Sequence, residues 1–318
     1  MKSLLSVQSH VVHGYVGGRA AIFPLQTQGW EVDNINTVNF SNHTGYGSFA
    51  GSSLAPEELD SILTQLETKL NVQYKALVSG YIPNADLIRT LSQHLPRLKR
   101  DGGYYLLDPV MGDNNYMYVD KSCIKEYQNI LLLDDLVDII TPNQFELELL
   151  TGLRITCKLT LIQAINKLHQ EYNIPYIVIT SVSGEIFDSQ TNDIFCVVSS
   201  SQGCKVFKVP MIKSYFTGVG DLFSALLVDR LEKNDMDLST SVNQVLTIVS
   251  WTLKLTHKSA LLAQRAAAKN ENAGELVGKI NDADTMKYLE LRIIQARDYY
   301  SYDGPGEFVE TDMDRLLD

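Results

Sequence analysis

Thr217-Gly218-Val219-Gly220-Asp221-Leu222-Phe223-Ser224-Ala225-Leu226 puts two glycines and an aspartate at the mouth of an apolar, helix-forming run. Glycines let the backbone approach a ligand closely, and the free N–H groups of a first helical turn hold anions without a basic side chain. Asp221 shares that turn, where a carboxylate can act as general base toward whatever the amides hold. Gly and Asp also favour ordinary helix starts, so the segment alone leaves both readings open. Asn39-Phe40-Ser41-Asn42-His43-Thr44-Gly45-Tyr46-Gly47 follows a strand-like run. Loops at that end of an open α/β sheet meet ligands, although Asn, Ser and Gly also make plain turns.

Two further segments end strands with acids. Asp108-Pro109-Val110-Met111-Gly112-Asp113 offers two carboxylates five apart across a Pro and Gly turn. Such hard oxygen ligands suit Mg²⁺, which takes one or two carboxylates plus phosphate oxygens of a substrate. In Thr141-Pro142-Asn143-Gln144-Phe145-Glu146, Asn143 and Glu146 have the spacing of a capping box, a structural role. Other chemistries are excluded. No GxxxxGK[ST] phosphate loop occurs, and the strand–loop–helix from Ser6 to Arg19 lacks GxGxxG. His10, His13, His43, His94, His169 and His257 show no metal-ligand spacing, and His94 and His169 are expected on helix surfaces.

The elements that must position these residues alternate along the chain. Strands are predicted at Ser3–Gln8, Val32–Phe40, Lys75–Gly80, Tyr104–Asp108, Asp138–Thr141, Tyr176–Thr180, Asp193–Ser199 and Lys205–Val209. Amphipathic runs lie between them. In Glu57–Leu70, Leu59, Ile62, Leu63, Leu66 and Leu70 recur at helical spacing behind a Pro56 start. That alternation argues βαβ units, a mostly parallel sheet and helices on both faces. The last two strands, separated by 200–203, read as an antiparallel hairpin at the sheet's edge. Helices are expected over Leu238–Ala263 and Asp284–Tyr299, with 265–280 a mobile connection and 302–318 an acidic tail. No composition break marks a linker, so residues 1–318 are read as one domain.

The 318 residues are 45% hydrophobic and 20% charged, the composition of a globular chain. The net charge of −11 argues against nucleic acid and anionic membrane as partners. A bound polyanion must instead be neutralised by amides, a helix terminus or metal ions. Four scattered cysteines, no signal peptide and no apolar run of about 18 residues point to an intracellular, non-membrane protein.

Taken together the segments resemble the pyridoxal kinase branch of the ribokinase-like fold. Leu5-Ser6-Val7-Gln8-Ser9-His10, Gly14-Tyr15-Val16-Gly17 and Phe40-Ser41-Asn42-His43-Thr44-Gly45-Tyr46 carry it, with the two acidic segments, Ile179-Thr180-Ser181 and Glu290-Leu291-Arg292. The resemblance implies a three-layer α/β sandwich that transfers phosphoryl from ATP to the 5′-hydroxyl of pyridoxal, pyridoxine or pyridoxamine. It implies Asp221 as base, with the amides of Gly218, Val219 and Gly220 on the transferring group. Ser9 and Thr44 would bond the pyridine ring's polar atoms, and Phe40, His43 and Tyr81 would pack around it. Asp113, backed by Glu146, would hold Mg²⁺; Asp108, Thr141 and Thr180 would hold K⁺ or Na⁺. Asp108, Asn143, Glu146, Thr180, Ser181, Val219 and the run Ile212, Lys213 and Ser214 would line ATP. A cytoplasmic homodimer, with the nucleus as a second compartment, is also implied.

The chain departs from the family pattern in two places. Val219 stands where the family commonly has Thr, and Asn114–Tyr118 is a shorter segment than the family's loop over ATP. Val219 loses a hydroxyl contact to phosphate but keeps its backbone amide, and the shorter loop implies altered ATP affinity rather than loss of activity. The rivals are a hydroxymethylpyrimidine-type kinase of the same fold and a non-catalytic carrier of pyridoxal phosphate or nucleotide. A nicotinamide-linked oxidoreductase lacks its glycine fingerprint.

Overall fold

The computed structural model describes residues 2–189, 193–269 and 276–316. The chain begins with β1 (Ser3–Val11), α1 (Gly18–Thr27), β2 (Glu31–Phe40), β3 (Gly51–Ser53), α2 (Pro56–Thr64) and β4 (Tyr74–Ser79). Next come α3 (Ala85–Leu98), β5 (Lys99–Leu107), the short β6 (Gly112–Asp113) and β7 (Tyr116–Met117), α4 (Ser122–Leu131) and β8 (Ile139–Ile140). Then follow α5 (Gln144–Thr151), α6 (Lys158–Tyr172), β9 (Tyr176–Ser183), β10 (Asp193–Ser200) and β11 (Gly203–Pro210). The chain closes through α7 (Val219–Lys233), α8 (Leu238–Ala268), α9 (Ala283–Met286) and β12 (Glu310–Asp312).

Ten strands make one sheet in the order β3-β2-β1-β4-β5-β8-β9-β10-β11-β12. β2, β1, β4, β5, β8 and β9 run parallel, and the outer pairings are antiparallel. Successive residues of a strand point to opposite faces, and the core divides accordingly. Leu5, Tyr105, Leu107, Ile177 and Ile179 pack against α2 to α6. Leu4, Tyr104, Leu106 and Val178 pack against α1, α7 and α8. This is the expected three-layer α/β sandwich. All parallel strands therefore deliver their C-terminal residues to one rim, where ligands of open α/β sheets bind.

The predicted β10–β11 hairpin forms, with Ser200 opposite Gly203, and β12 adds one strand outside it. The acidic tail is thus part of the fold rather than a bare appendage. Lys205 on β11 pairs with Glu310 and Asp312, and Met313 is fully buried. Met313→Ala is expected to destabilise the protein by about 2–5 kcal/mol in urea unfolding. A change below about 0.5 kcal/mol, the scale of a surface substitution, would detach the tail from the core.

Three further expectations are corrected. Only Ala283–Met286 of the run Asp284–Tyr299 begins as α-helix, with turns to a 3₁₀ turn at Arg297–Tyr299. Leu289, Glu290, Leu291 and Ile293 are all buried, a run of neighbours that the single apolar stripe of an amphipathic helix could not cover. Within 265–280, α8 continues to Ala268 and Leu276 is buried. The Gly278 N–H donates to Ser214 Oγ (2.9 Å), and its carbonyl accepts from the Tyr215 N–H (3.3 Å). Residues 270–275 lie outside the described residues. His94 is buried, not on a surface, because it falls on the α3 stripe of Leu87, Ile88, Leu91, Leu95 and Leu98. Its ring sits between Glu67 (2.6 Å) and Asp60 (3.0 Å). His169 is half-buried, bonded to the Ile174 carbonyl and Ser199. No helix among the described residues is long and apolar enough to cross a membrane.

Candidate active site

α7 begins without a side-chain cap. Gly218 precedes it in the left-handed region (φ 80°), and its carbonyl accepts from the Leu222 N–H. The first-turn amides of Val219, Gly220 and Asp221 therefore face the rim, as an anion site requires. A side chain at Gly218 would strike the Tyr15 carbonyl, its Cβ lying 2.1 Å away. The β1–α1 loop packs equally tightly on its other side, where a Cβ at Gly17 would lie 2.3 Å from Ser9 Oγ. These close approaches bring Ser9, the 15–17 backbone and the α7 start together. Asp221 is held there, its Oδ2 accepting from the Gly17 N–H at 2.7 Å. Burial pushes its carboxyl above the usual range, against the lowering effect of that bond. An added Cβ at Gly80 would come within 3.5 Å of Asp221 Oδ1, close to Gln8, whose buried Oε1 has no partner.

Behind Asp221 lie more carboxylates. Asp108 follows β5, and a Cβ at Gly220 would lie 3.6 Å from its Oδ2. Ser224 Oγ donates to that same oxygen at 3.2 Å, and Thr141 Oγ1 stands 3.3 Å from Ser224 Oγ. Burial first, then the charges of Glu146 and Asp221, push Asp108 well above its ordinary value. Burial likewise raises Asp113, and pushes Glu146 up to about 8. No Lys or Arg among the described residues pairs with any of these acids.

Glu146 and Asn143 form the capping box that their spacing predicts. They also do more: Glu146 Oε1 accepts from the Met111 N–H (2.9 Å), and Asn143 Nδ2 donates to the Gly112 carbonyl (2.8 Å). Together they fix the segment that presents Asp113. Asn143 is committed at both ends of its amide, so what it offers a nucleotide is placement. Asn114 (φ 49°) and Asn115 (φ 61°) turn the chain back in the left-handed conformation that suits a two-residue hairpin, giving β6 and β7. Beyond it Tyr118 OH meets Tyr215 OH at 3.3 Å, tying this short hairpin to the segment before α7.

The acids fit a cation. Buried carboxylates that raise one another's pKa and lack a basic partner are stabilised by positive charge. No three His, Cys, Asp or Glu groups among the described residues converge on a ready-made metal centre. Mg²⁺ binds through one or two carboxylates while substrate phosphates and water supply the rest.

The loop after β2 lies across the rim. Phe40 and Tyr81 join an apolar cluster with Val11, Val16 and Val38, and Thr44 is exposed. His43 is buried, but its partners are Glu290 Oε1 (3.1 Å) and Thr217 Oγ1 (3.0 Å). Thr180 lies at the end of the parallel strands, its hydroxyl 3.4 Å from the Pro142 carbonyl, with Ser181 beside it. Of the run 212–214, Lys213 is exposed and the Ser214 hydroxyl is taken by Gly278. Sequence reasoning missed Gly17 and Ser224, and above all Glu290, which enters from a segment 247 residues beyond His43.

Comparison with known proteins matches this architecture. The phosphomethylpyrimidine kinase family model covers residues 37–264. The Saccharomyces cerevisiae protein BUD16, a candidate pyridoxal kinase, is 43% identical over 94% of this chain and 95% of its own. The chain belongs to the pyridoxal kinase family. Dictyostelium discoideum pyridoxal kinase is 33% identical over 93% of this chain and 94% of its own. Leishmania donovani pyridoxal kinase, solved with ADP and pyridoxine, superposes with a TM-score of 0.80 at 28% identity, covering 98% of both chains. The same enzyme is also known with ADP and pyridoxamine. Membership of the pyridoxal kinase family makes this chain a kinase on the ribokinase-like fold, as its motifs led one to expect.

Proposed function

We propose that this chain transfers the γ-phosphoryl group of ATP to the 5′-hydroxyl of pyridoxal, pyridoxine and pyridoxamine, a step of vitamin B6 salvage. The observation that carries the reading is Asp221, a half-buried carboxylate held by the Gly17 N–H at the head of an uncapped helix. It adjoins the acid cluster, and Thr217, four residues before it, meets His43 of the Ser41–Tyr46 loop. Asp221 accepts the hydroxyl proton as the oxygen attacks. The amides of Gly218, Val219 and Gly220 stabilise charge on the transferring group, an electrostatic contribution preorganised by the fold. At Val219 only the amide acts, since the side chain has no hydroxyl.

Ser9 and Thr44 bond the vitamer's polar atoms while Phe40, His43 and Tyr81 flank its ring. Asp108, Asn143, Glu146, Thr180, Ser181 and the run 212–214 line the nucleotide side. Asp113, on the segment braced by Glu146, would hold Mg²⁺, and Asp108, Thr141 and Thr180 would hold K⁺ or Na⁺. Such cations supply positive charge against the phosphate oxygens, which a chain of net charge −11 otherwise lacks. The reading extends to one kinase unit over residues 1–318, supported by the unbroken sheet from β3 to β12. It also extends to a homodimer in the cytoplasm or nucleus that binds neither nucleic acid nor membrane.

A paired assay tests the reading: purified protein with ATP, Mg²⁺ and K⁺, given pyridoxal or hydroxymethylpyrimidine, with products read by mass spectrometry. Phosphate on pyridoxal is expected. Phosphate on the pyrimidine alone would favour the second reading, which the family model's own description supports. Silence on both, from protein that still binds ATP, would favour a carrier. Ser9→Ala is expected to raise KM for pyridoxal about fivefold to tenfold, in line with loss of one hydrogen bond, and to leave KM for ATP within twofold. Equal increases in both would remove Ser9 from the vitamer side.

A further inference from the structure

Glu290 lies in no helix or strand, yet it is buried and joins two distant parts of the rim through three residues. Its Oε2 accepts from the Tyr15 N–H (2.9 Å), and its Oε1 accepts from Tyr46 OH (2.8 Å) and meets His43 Nε2 (3.1 Å). Burial alone would raise its carboxyl, but His43, the Tyr15 N–H and Tyr46 hold it below its ordinary value. An ionised carboxylate only accepts, so the hydrogen of His43 must sit on Nε2, with Thr217 Oγ1 as a second acceptor at 3.0 Å. Nδ1 is left as the free ring nitrogen, buried and without a partner. The Tyr15 residue that Glu290 holds is also the one whose carbonyl packs under Gly218. Without the carboxylate, His43, Tyr46 and the Tyr15 turn have no common anchor.

We propose that Glu290 is a positioning residue for the vitamer loop, fixing the tautomer of His43 and the placement of Tyr46 and Tyr15. This rests on the B6-vitamer reading above for its kinetic consequence, though not for its geometry. Removing hydrogen bonds to a charged group typically alters binding about tenfold to a hundredfold. Glu290→Gln keeps the shape but sets one NH₂ against a donor.

The variant is expected to raise KM for pyridoxal at least about tenfold, with KM for ATP within twofold and kcat within about threefold. ¹⁵N NMR of the His43 ring is expected to show hydrogen on Nε2 in the wild type and a loss of that preference in the variant. Tyr46→Phe, which removes one donor and keeps the ring, is expected to raise KM for pyridoxal several-fold. Its effect should not add to that of Glu290→Gln, because the two share one contact. If Glu290→Gln does not fold, Tyr46→Phe and the wild-type tautomer decide. An unchanged KM for pyridoxal, equal rises for both substrates, or wild-type hydrogen on Nδ1 alone would overturn the proposal. Wild-type protein that never phosphorylates pyridoxal would instead sink the vitamer reading, and the His43 spectrum would still judge the Glu290 anchor.

Discussion

Asp221→Asn is expected to lower kcat by about a hundredfold to ten-thousandfold, the range that one positioned general base contributes. The Kd for ATP should stay within about twofold. The amide is isosteric, and its oxygen can still accept from the Gly17 N–H that holds the wild-type carboxylate at 2.7 Å. The helix start therefore keeps its shape and its free amides, while the group that takes the proton is gone. A second signature follows from burial, which raises Asp221 above the usual carboxylate range. Only the ionised form is a base. The acid limb of the wild-type kcat/KM profile is then expected above the value of about 3.9 for a free aspartate. In Asp221→Asn that limb should disappear. An Asn variant with more than a tenth of wild-type turnover would move the base elsewhere, with Asp108 the next carboxylate to examine.

Much of the fold that positions this site is legible in the sequence. The alternation of short apolar runs with helix-periodic ones gave the sheet and both helical layers, because a strand shows period two and a helix 3.6. Leu4 and Leu5, or Tyr104 and Tyr105, then fall on opposite faces as the pattern requires. Helix starts were legible for a local reason: Asn143 and Glu146, or the Gly218 to Asp221 run, act within a few residues of one another. What stayed hidden is non-local. Glu290 acts on residues 244 to 275 positions away, and nothing in the spacing near it marks that role. The β6–β7 hairpin had a signal that went unused, since Asn114-Asn115 tolerates the left-handed conformation a two-residue turn needs. His94 completes the apolar stripe on α3, so its burial follows from helical spacing rather than from its polarity.

Asp108→Asn is expected to separate stability from activity. In the cation-free protein, Asp108 is raised well above its ordinary value by burial and by the charges of Glu146 and Asp221. A carboxyl whose folded pKa exceeds its unfolded one binds more protons in the folded state. Stability therefore falls as pH rises from about 4 through the raised folded values. Glu146, pushed up to about 8, extends that decline across neutral pH. The cation-free wild type is expected to lose several degrees of Tm between pH 5 and pH 8, on the order of one to a few kcal/mol. Asp108→Asn removes one of the repelling charges, so its Tm at pH 8 should rise and its pH slope flatten. Its kcat/KM should fall by about a hundredfold or more, because the same carboxylate lies beside Gly220, one of the amides proposed to hold the transferring group. Mg²⁺ with ATP should restore wild-type Tm far more than that of the variant. Such a trade of stability for function is what the proposed cation site predicts. A variant that is less stable in the absence of cations would show that Ser224 and Thr141 already satisfy Asp108, and that its role is to pack the rim rather than to hold charge there.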